Sequence, residues 1–206
     1  MPHELPSCGA PVLIPRWEWR TFAPALDAAG ALKEMGTRLD SSDHREISLI
    51  CLTSSHDVTI RDRRLSLKWR KQVGQQGLEL WDVVLDADFP CAQETVRRLF
   101  DAWDMALPSL HRANYTINAF LDEVIRIHPN LRVVEIEKHA ERFAVEGARC
   151  EWTHLLANQT PCECLFIEHE DPSLTLQVVR RLGLQARPHA SYPSGLKTAL
   201  HFDTQH

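Results

Sequence analysis

Alternation constrains this chain more than any other feature. Eight stretches switch between polar and apolar residues with period two, at roughly 46–53, 57–61, 64–71, 78–86, 131–138, 141–146, 149–156 and 162–170. Another such stretch, PRWEWRTF, lies at 15–22. Period two marks a strand with one buried face, because successive side chains point to opposite sides. Links such as VGQQG at 73–77 and EGA at 146–148 suit antiparallel hairpins. Helical spacing is confined to a few places. Val96, Leu99, Phe100 and Trp103 fall at i, i+3, i+4 and i+7, and Ile117, Phe120, Leu121, Val124 and Ile125 make a second stripe. Segment 172–182 has Asp171 as cap, Pro172 at the first helical position and Gly183 as stop. A shorter helix is expected over 25–35. The first dozen residues, with three prolines, read as an irregular lead-in, and no linker or repeat divides the rest. The expectation is a single α+β domain over 1–206. About eight antiparallel strands close into a barrel, with helices packed outside it.

Composition narrows the classes of function. A net charge of −5 over 206 residues argues against a cationic coat for indiscriminate nucleic-acid binding, though it permits a local basic channel. Six cysteines are scattered without a CxxC pair, so a thiolate zinc site is not expected. The CEC at 162–164 reads as small buried thiols within a strand. No basic-then-apolar leader and no membrane-length apolar run is present, so a reduced cytoplasmic protein is expected.

The polar faces carry the functional signal. On the opening strand Arg16, Glu18 and Arg20 oppose Trp17 and Trp19. At 64–70, Arg64, Ser66, Lys68 and Arg70 oppose Leu65, Leu67 and Trp69. At 149–154, Arg149, Glu151 and Thr153 oppose Cys150, Trp152 and His154. Glu168 and Glu170 oppose Leu165, Ile167 and His169. One such strand is explained by a sheet with a wet side. Segregation by sign is not: 64–70 offers only cations and 168–170 only carboxylates. Like charges on one face repel unless a cation lies between them. A barrel with these faces inward brings the two sets together across a lumen.

Taken in order, these residues resemble the CYTH, or triphosphate tunnel metalloenzyme, superfamily. Its hallmarks are an opening ExExK strand, basic strands and a late ExE. Glu18 falls on the second glutamate and Arg20 on the lysine, while Arg16 stands where the first glutamate, a metal ligand in the family, is expected. VTIRDRRLSLKWR is similar to the family's basic run through Arg61, Arg64, Lys68 and Arg70. EIEKHAERFAVEG is similar to its later basic hairpin, with Lys138 and Arg142. IEHED supplies Glu168 and Glu170, and YPSGLK resembles the closing tyrosine and lysine, Tyr192 and Lys197.

The resemblance implies a metal-dependent phosphohydrolase acting on inorganic triphosphate, a nucleoside triphosphate or a related compound inside a charged tunnel. Glu18, Glu168 and Glu170 would hold Mg²⁺ or Mn²⁺. Arg20, Arg61, Arg64, Lys68, Arg70, Arg142 and Lys197 would grip phosphate. Glu151 and Lys68 are the catalytic candidates, Glu151 to orient the attacking water. Two alternatives stay open: a class IV-type adenylate cyclase, and a degenerate tunnel that only binds a polyanion or nucleotide. The partner implied is a triphosphate-containing small molecule; no membrane and no nucleic acid is expected, and a homodimer is left open. No P-loop and no HExxH competes with this assignment.

Overall fold

The computed structural model describes residues 15–202. The lead-in at 1–12, Cys8 and His206 lie outside the described residues. Eight long strands close into an antiparallel barrel in the order β1-β10-β9-β8-β2-β3-β4-β5. They are β1 (Arg16–Ala23), β2 (Thr37–Cys51), β3 (Asp57–Arg61), β4 (Arg64–Val73), β5 (Glu79–Asp88), β8 (Leu131–Val145), β9 (Ala148–Ala157) and β10 (Thr160–His169). The short strands β6 (Cys91–Ala92) and β7 (Asn114–Tyr115) pair outside the barrel. The expected α+β barrel is therefore the observed fold.

The helices sit where the apolar faces need cover. Helices α2 (Gln93–Trp103) and α3 (Ile117–Phe120), which continues as a π-turn over Leu121–Ile125, pack on the outward residues of β2–β5, among them Leu49, Ile60, Leu65 and Leu67. Helices α1 (Ala28–Met35) and α4 (Pro172–Arg181) cover Trp19, Phe143, Cys150, Leu165 and Ile167. Trp17 packs at the edge of this second layer, so both opening tryptophans face outward. Asp171 caps α4 by accepting from the Ser173 N–H at 2.8 Å. No helix among the described residues is long and apolar enough to cross a membrane.

Two elements differ from the alternation. β2 begins at Thr37, and β8 runs unbroken where the pattern suggests two runs. The extension of β2 pairs with the far half of β8, from Thr37 opposite Ala144 to Arg45 opposite Glu137. Both faces of this polar stretch meet water, which erases the apolar alternation, and ion pairs such as Arg45–Glu137 at 2.7 Å replace it. Helix α5 (Tyr192–Ala199) is also unforeseen, because Pro193 and Gly195 argue against a helix. Pro193 falls in the first turn, where its missing N–H costs nothing. Ser191 caps that turn.

Closure is thin between β1 and β5, which pair only from Arg16 to Glu18. Beyond that point a loop takes over. The Ala190 N–H donates to the Arg20 carbonyl at 2.9 Å, and the Arg20 N–H donates to His189 Nδ1 at 3.1 Å.

Candidate functional site

Alternate residues of the strands face the lumen, and their character changes along the barrel. At one end they are charged: Glu18 and Arg20 on β1, Glu46 on β2, Lys138 on β8, Glu151 on β9, Glu168 on β10. Further along the same faces come Ile50, Val134, Ile136, Leu155, Ala157, Cys162 and Cys164, all buried in one apolar cluster with Tyr192 and Leu196 of α5. Helix α5 thus floors the lumen. It can do so because Gly195 lies against Phe22, where a Cβ would come within 2.1 Å of the ring.

Above this floor is a chamber of about 550 Å³. The Arg20 guanidinium stacks on Phe166 at 4.3 Å and on Tyr192 at 4.9 Å, and Lys138 Nζ lies 4.5 Å from the Tyr192 ring. Glu46 accepts from the Tyr192 hydroxyl at 2.7 Å and pairs with Lys138 at 2.9 Å. Burial alone would raise the Glu46 pKa, but His44, Lys138 and Tyr192 together hold it well below the ordinary carboxylate value. Burial and the same Glu46 charge push the Tyr192 hydroxyl far above 10.0.

Glu18 and Glu168 are directly opposite each other on β1 and β10, and both are buried. Two carboxylates so placed repel, so each has cationic partners. Glu18 pairs with Lys68 at 3.4 Å and Arg20 at 3.6 Å; Glu168 pairs with Arg149 at 3.1 Å and Arg16 at 4.0 Å. Burial works against the charge on Lys68, yet Glu18 and Asp57 raise its pKa, so it stays protonated. Glu151 accepts from Arg142 at 2.8 Å and from the Thr153 hydroxyl at 3.2 Å. Burial opposes its charge, but Lys138, Arg142 and Arg20 keep its pKa low.

Of the residues singled out from sequence, Arg20, Arg61, Arg64, Lys68, Glu151 and Glu168 line the chamber, with Glu18 behind Lys68 and Arg20. Arg61 and Arg64 lie at the exposed rim, where Arg64 forks onto Asp86. Arg142 backs Glu151 and also bonds Asp40 and Ser42. Arg70 is turned to Glu79 at 2.8 Å, and Lys197 to the carbonyls of Leu52 and Ser54; neither lines the chamber. Glu170 lies just beyond the end of β10, 51% exposed, and pairs with Arg16 at 3.7 Å.

The structure adds residues that the pattern did not single out as site candidates. Glu46 and Asp57 are the main ones. Asp57 lies across from Lys68 in the β3–β4 ladder, and its Oδ1 is shut off from solvent with no hydrogen-bond partner. Burial raises its pKa, with Lys68 and Arg20 pulling the other way. Asp57 opens the strand DVTIR one residue after His56 and shares a face with Thr59 and Arg61; that spacing was the available signal.

Among the described residues, no group of three or more His, Cys, Asp or Glu side chains stands close enough to hold a metal ion. The facing pair Glu18 and Glu168 still suits a hard cation. Magnesium commonly takes one or two protein carboxylates and fills its shell with phosphate oxygens and water. Replacing the cations now paired with these carboxylates is the chemical requirement.

No family model matches the chain. No curated protein matches it either. Several solved structures are similar. One is an adenylyl cyclase candidate from Hippeastrum, described by a dominant triphosphatase activity: 13% identity, 93% of this chain and 97% of that one, TM-score 0.49. The PH1012 protein from Pyrococcus horikoshii is 13% identical over 84% of this chain and 94% of its own, TM-score 0.47. A Bacillus halodurans protein named as a candidate adenylate cyclase is 12% identical over 85% and 93%, TM-score 0.44. At 12–13% identity nothing about activity transfers from them.

Proposed function

We propose that this chain is a member of the triphosphate tunnel superfamily that binds a metal-complexed triphosphate in the chamber and hydrolyses it. The observation that carries the reading is the charge balance of the lining. Six cations and seven carboxylates line the chamber among the described residues. A bare triphosphate, with about four negative charges, gains little from a lining without net positive charge. A triphosphate carrying a divalent ion matches both signs at once.

Glu18 and Glu168 would hold Mg²⁺ or Mn²⁺, which when bound polarises the phosphoryl group and its attacking water. Arg20, Lys68, Lys138 and Arg149 would neutralise phosphate oxygens, with Arg61 and Arg64 meeting the substrate at the rim. Lys68, kept protonated, serves as a fixed cation at the leaving phosphate and not as a base. Glu151, kept ionised and clamped by Arg142, can accept a hydrogen bond from a water aimed at the terminal phosphorus. The free, buried Cys51, Cys91, Cys150, Cys162 and Cys164 support a reducing compartment such as the cytoplasm.

A second reading rests on Arg16. It reaches both Glu168 and Glu170, placing a cation where metal chemistry wants a carboxylate. That favours a tunnel that binds polyanions without turning them over. The test is phosphate release from tripolyphosphate and a panel of nucleoside triphosphates with Mg²⁺ or Mn²⁺, with cyclic AMP assayed in parallel. Metal-dependent release supports the hydrolase. Tight tripolyphosphate binding without release supports the binder, and neither binding nor release would overturn both.

A further inference from the structure

On the outer wall, away from the chamber, four side chains form one row across four neighbouring strands. Asp43 on β2 is opposite His139 on β8, His139 is opposite His154 on β9, and His154 is opposite Glu163 on β10. The order is carboxylate, imidazole, imidazole, carboxylate. His139 Nδ1 lies 2.7 Å from Asp43, and His154 Nδ1 lies 3.3 Å from Glu163. His139 Nδ1 is hydrogen-bonded to Asp43 and His154 Nδ1 lies within ion-pair range of Glu163, which leaves the Nε2 lone pair of each ring for another partner. The rings are 45% and 47% exposed and border a groove of about 740 Å³.

One of the outer partners, Glu163, is itself anchored. Glu163 accepts from the Leu26 N–H at 2.8 Å and from Trp152 Nε1 at 3.2 Å, and the Trp152 ring packs 4.5 Å from His154. A carboxylate on one imidazole nitrogen fixes the tautomer and leaves the other nitrogen basic; metal-ligating histidines almost always carry such a partner. Here two of them stand side by side. Their ring centroids are 6.3 Å apart. Two imidazoles sharing one ion at about 2.1 Å per nitrogen have centroids about 5.3–6.5 Å apart, depending on the bond angle. The observed spacing falls inside that range, and a side-chain shift of about an ångström reaches the tetrahedral value.

We propose that the Asp43–His139–His154–Glu163 row is a binding site for a borderline divalent transition-metal ion such as Zn²⁺. His139 and His154 are its ligands, Asp43 and Glu163 orient them, and water or an outside ligand completes the shell. Imidazole donors select Zn²⁺, Ni²⁺ or Cu²⁺ over Mg²⁺, so this site and a carboxylate site in the chamber would take different ions.

Calorimetric titration of the full chain with ZnCl₂ in excess MgCl₂ tests the proposal. Wild type is expected to bind one Zn²⁺ that His139→Ala and His154→Ala each weaken by about tenfold or more. Asp43→Asn is expected to weaken it by about tenfold, the scale of losing an orienting partner. Glu18→Gln should leave this binding unchanged, which separates the site from the chamber. Quenching of tryptophan fluorescence by Ni²⁺ reads the same event through Trp152 and should fade in His154→Ala, with circular dichroism confirming a folded variant. Absence of Zn²⁺ binding in wild type, or wild-type affinity in both histidine variants, would overturn the assignment.

Discussion

The two halves of the lumen share their strands but not their physics. In the floor, Leu196, Val134, Ile136 and Leu155 are buried together and gain by leaving water. In the chamber, Glu18, Glu46, Lys68, Lys138 and Arg20 are held out of bulk water only because each meets an opposite charge. Apolar burial stabilises wherever it occurs, whereas a buried ion pair often does no better than a hydrophobic isostere. The chamber therefore exists for something other than stability. Losing one of its partners is nevertheless severe, because the charge left behind has no water to turn to.

Four experiments press on that contrast. The largest effect is expected from Glu18→Gln with Glu168→Gln, which should cut metal-dependent phosphate release by about 10³-fold or more, since metal stabilisation is worth several kcal/mol. Its melting temperature should also fall without metal, because Lys68, Arg20 and Arg149 lose partners. A wild-type rate in that variant would remove the metal assignment.

Next is Glu46→Gln, expected to cost about 3–5 kcal/mol near neutral pH in denaturant unfolding. The Glu46 carboxyl titrates below its ordinary 4.5 in the folded chain. Its stabilisation is thus present above that pH and lost as the pH falls through and below it. The variant should show a flatter acid limb, and equal acid slopes in both proteins would contradict the ion-pair account. Leu196→Ala tests the floor: about 3 kcal/mol of stability should be lost with no pH dependence. The smallest effect belongs to Arg64→Ala at the exposed rim. KM should rise about fivefold or less, with thermal stability unchanged.

The opening strand shows how much of this was legible. That Trp17 and Trp19 oppose Glu18 and Arg20 follows from strand period alone, whereas turning the charged face inward took the segregation of sign between strands and the family resemblance. Glu170 shows where period stops being a guide: β10 ends at His169, and one residue later the side chain is out in solvent. Glu46 and Asp57 were hidden for another reason. Neither belongs to a recognisable motif, and only the strand pairing sets Asp57 across from Lys68 on β4 and Glu46 beside Lys138 on β8. Arg70 was misleading in the same way, since β4 carries an irregularity between Arg70 and Gln72 and the side chain goes to Glu79. Helix α5 was obscured because its proline and glycine, unfavourable in a free helix, serve its first turn and its approach to Phe22.

Because α5 closes the apolar end of the lumen among the described residues, a ligand would reach the chamber from the charged end, and traffic there would keep an order. On the proposed reading, a linear polyphosphate would enter past Arg61 and Arg64 and come to rest with its leading end among Arg20, Lys138 and Tyr192. After such a cleavage, the fragment nearer the door would depart first and the deeper one would wait behind it. Whichever small anion remained at the back would then block the next arrival, and the proposed hydrolase would be inhibited by its own accumulated product.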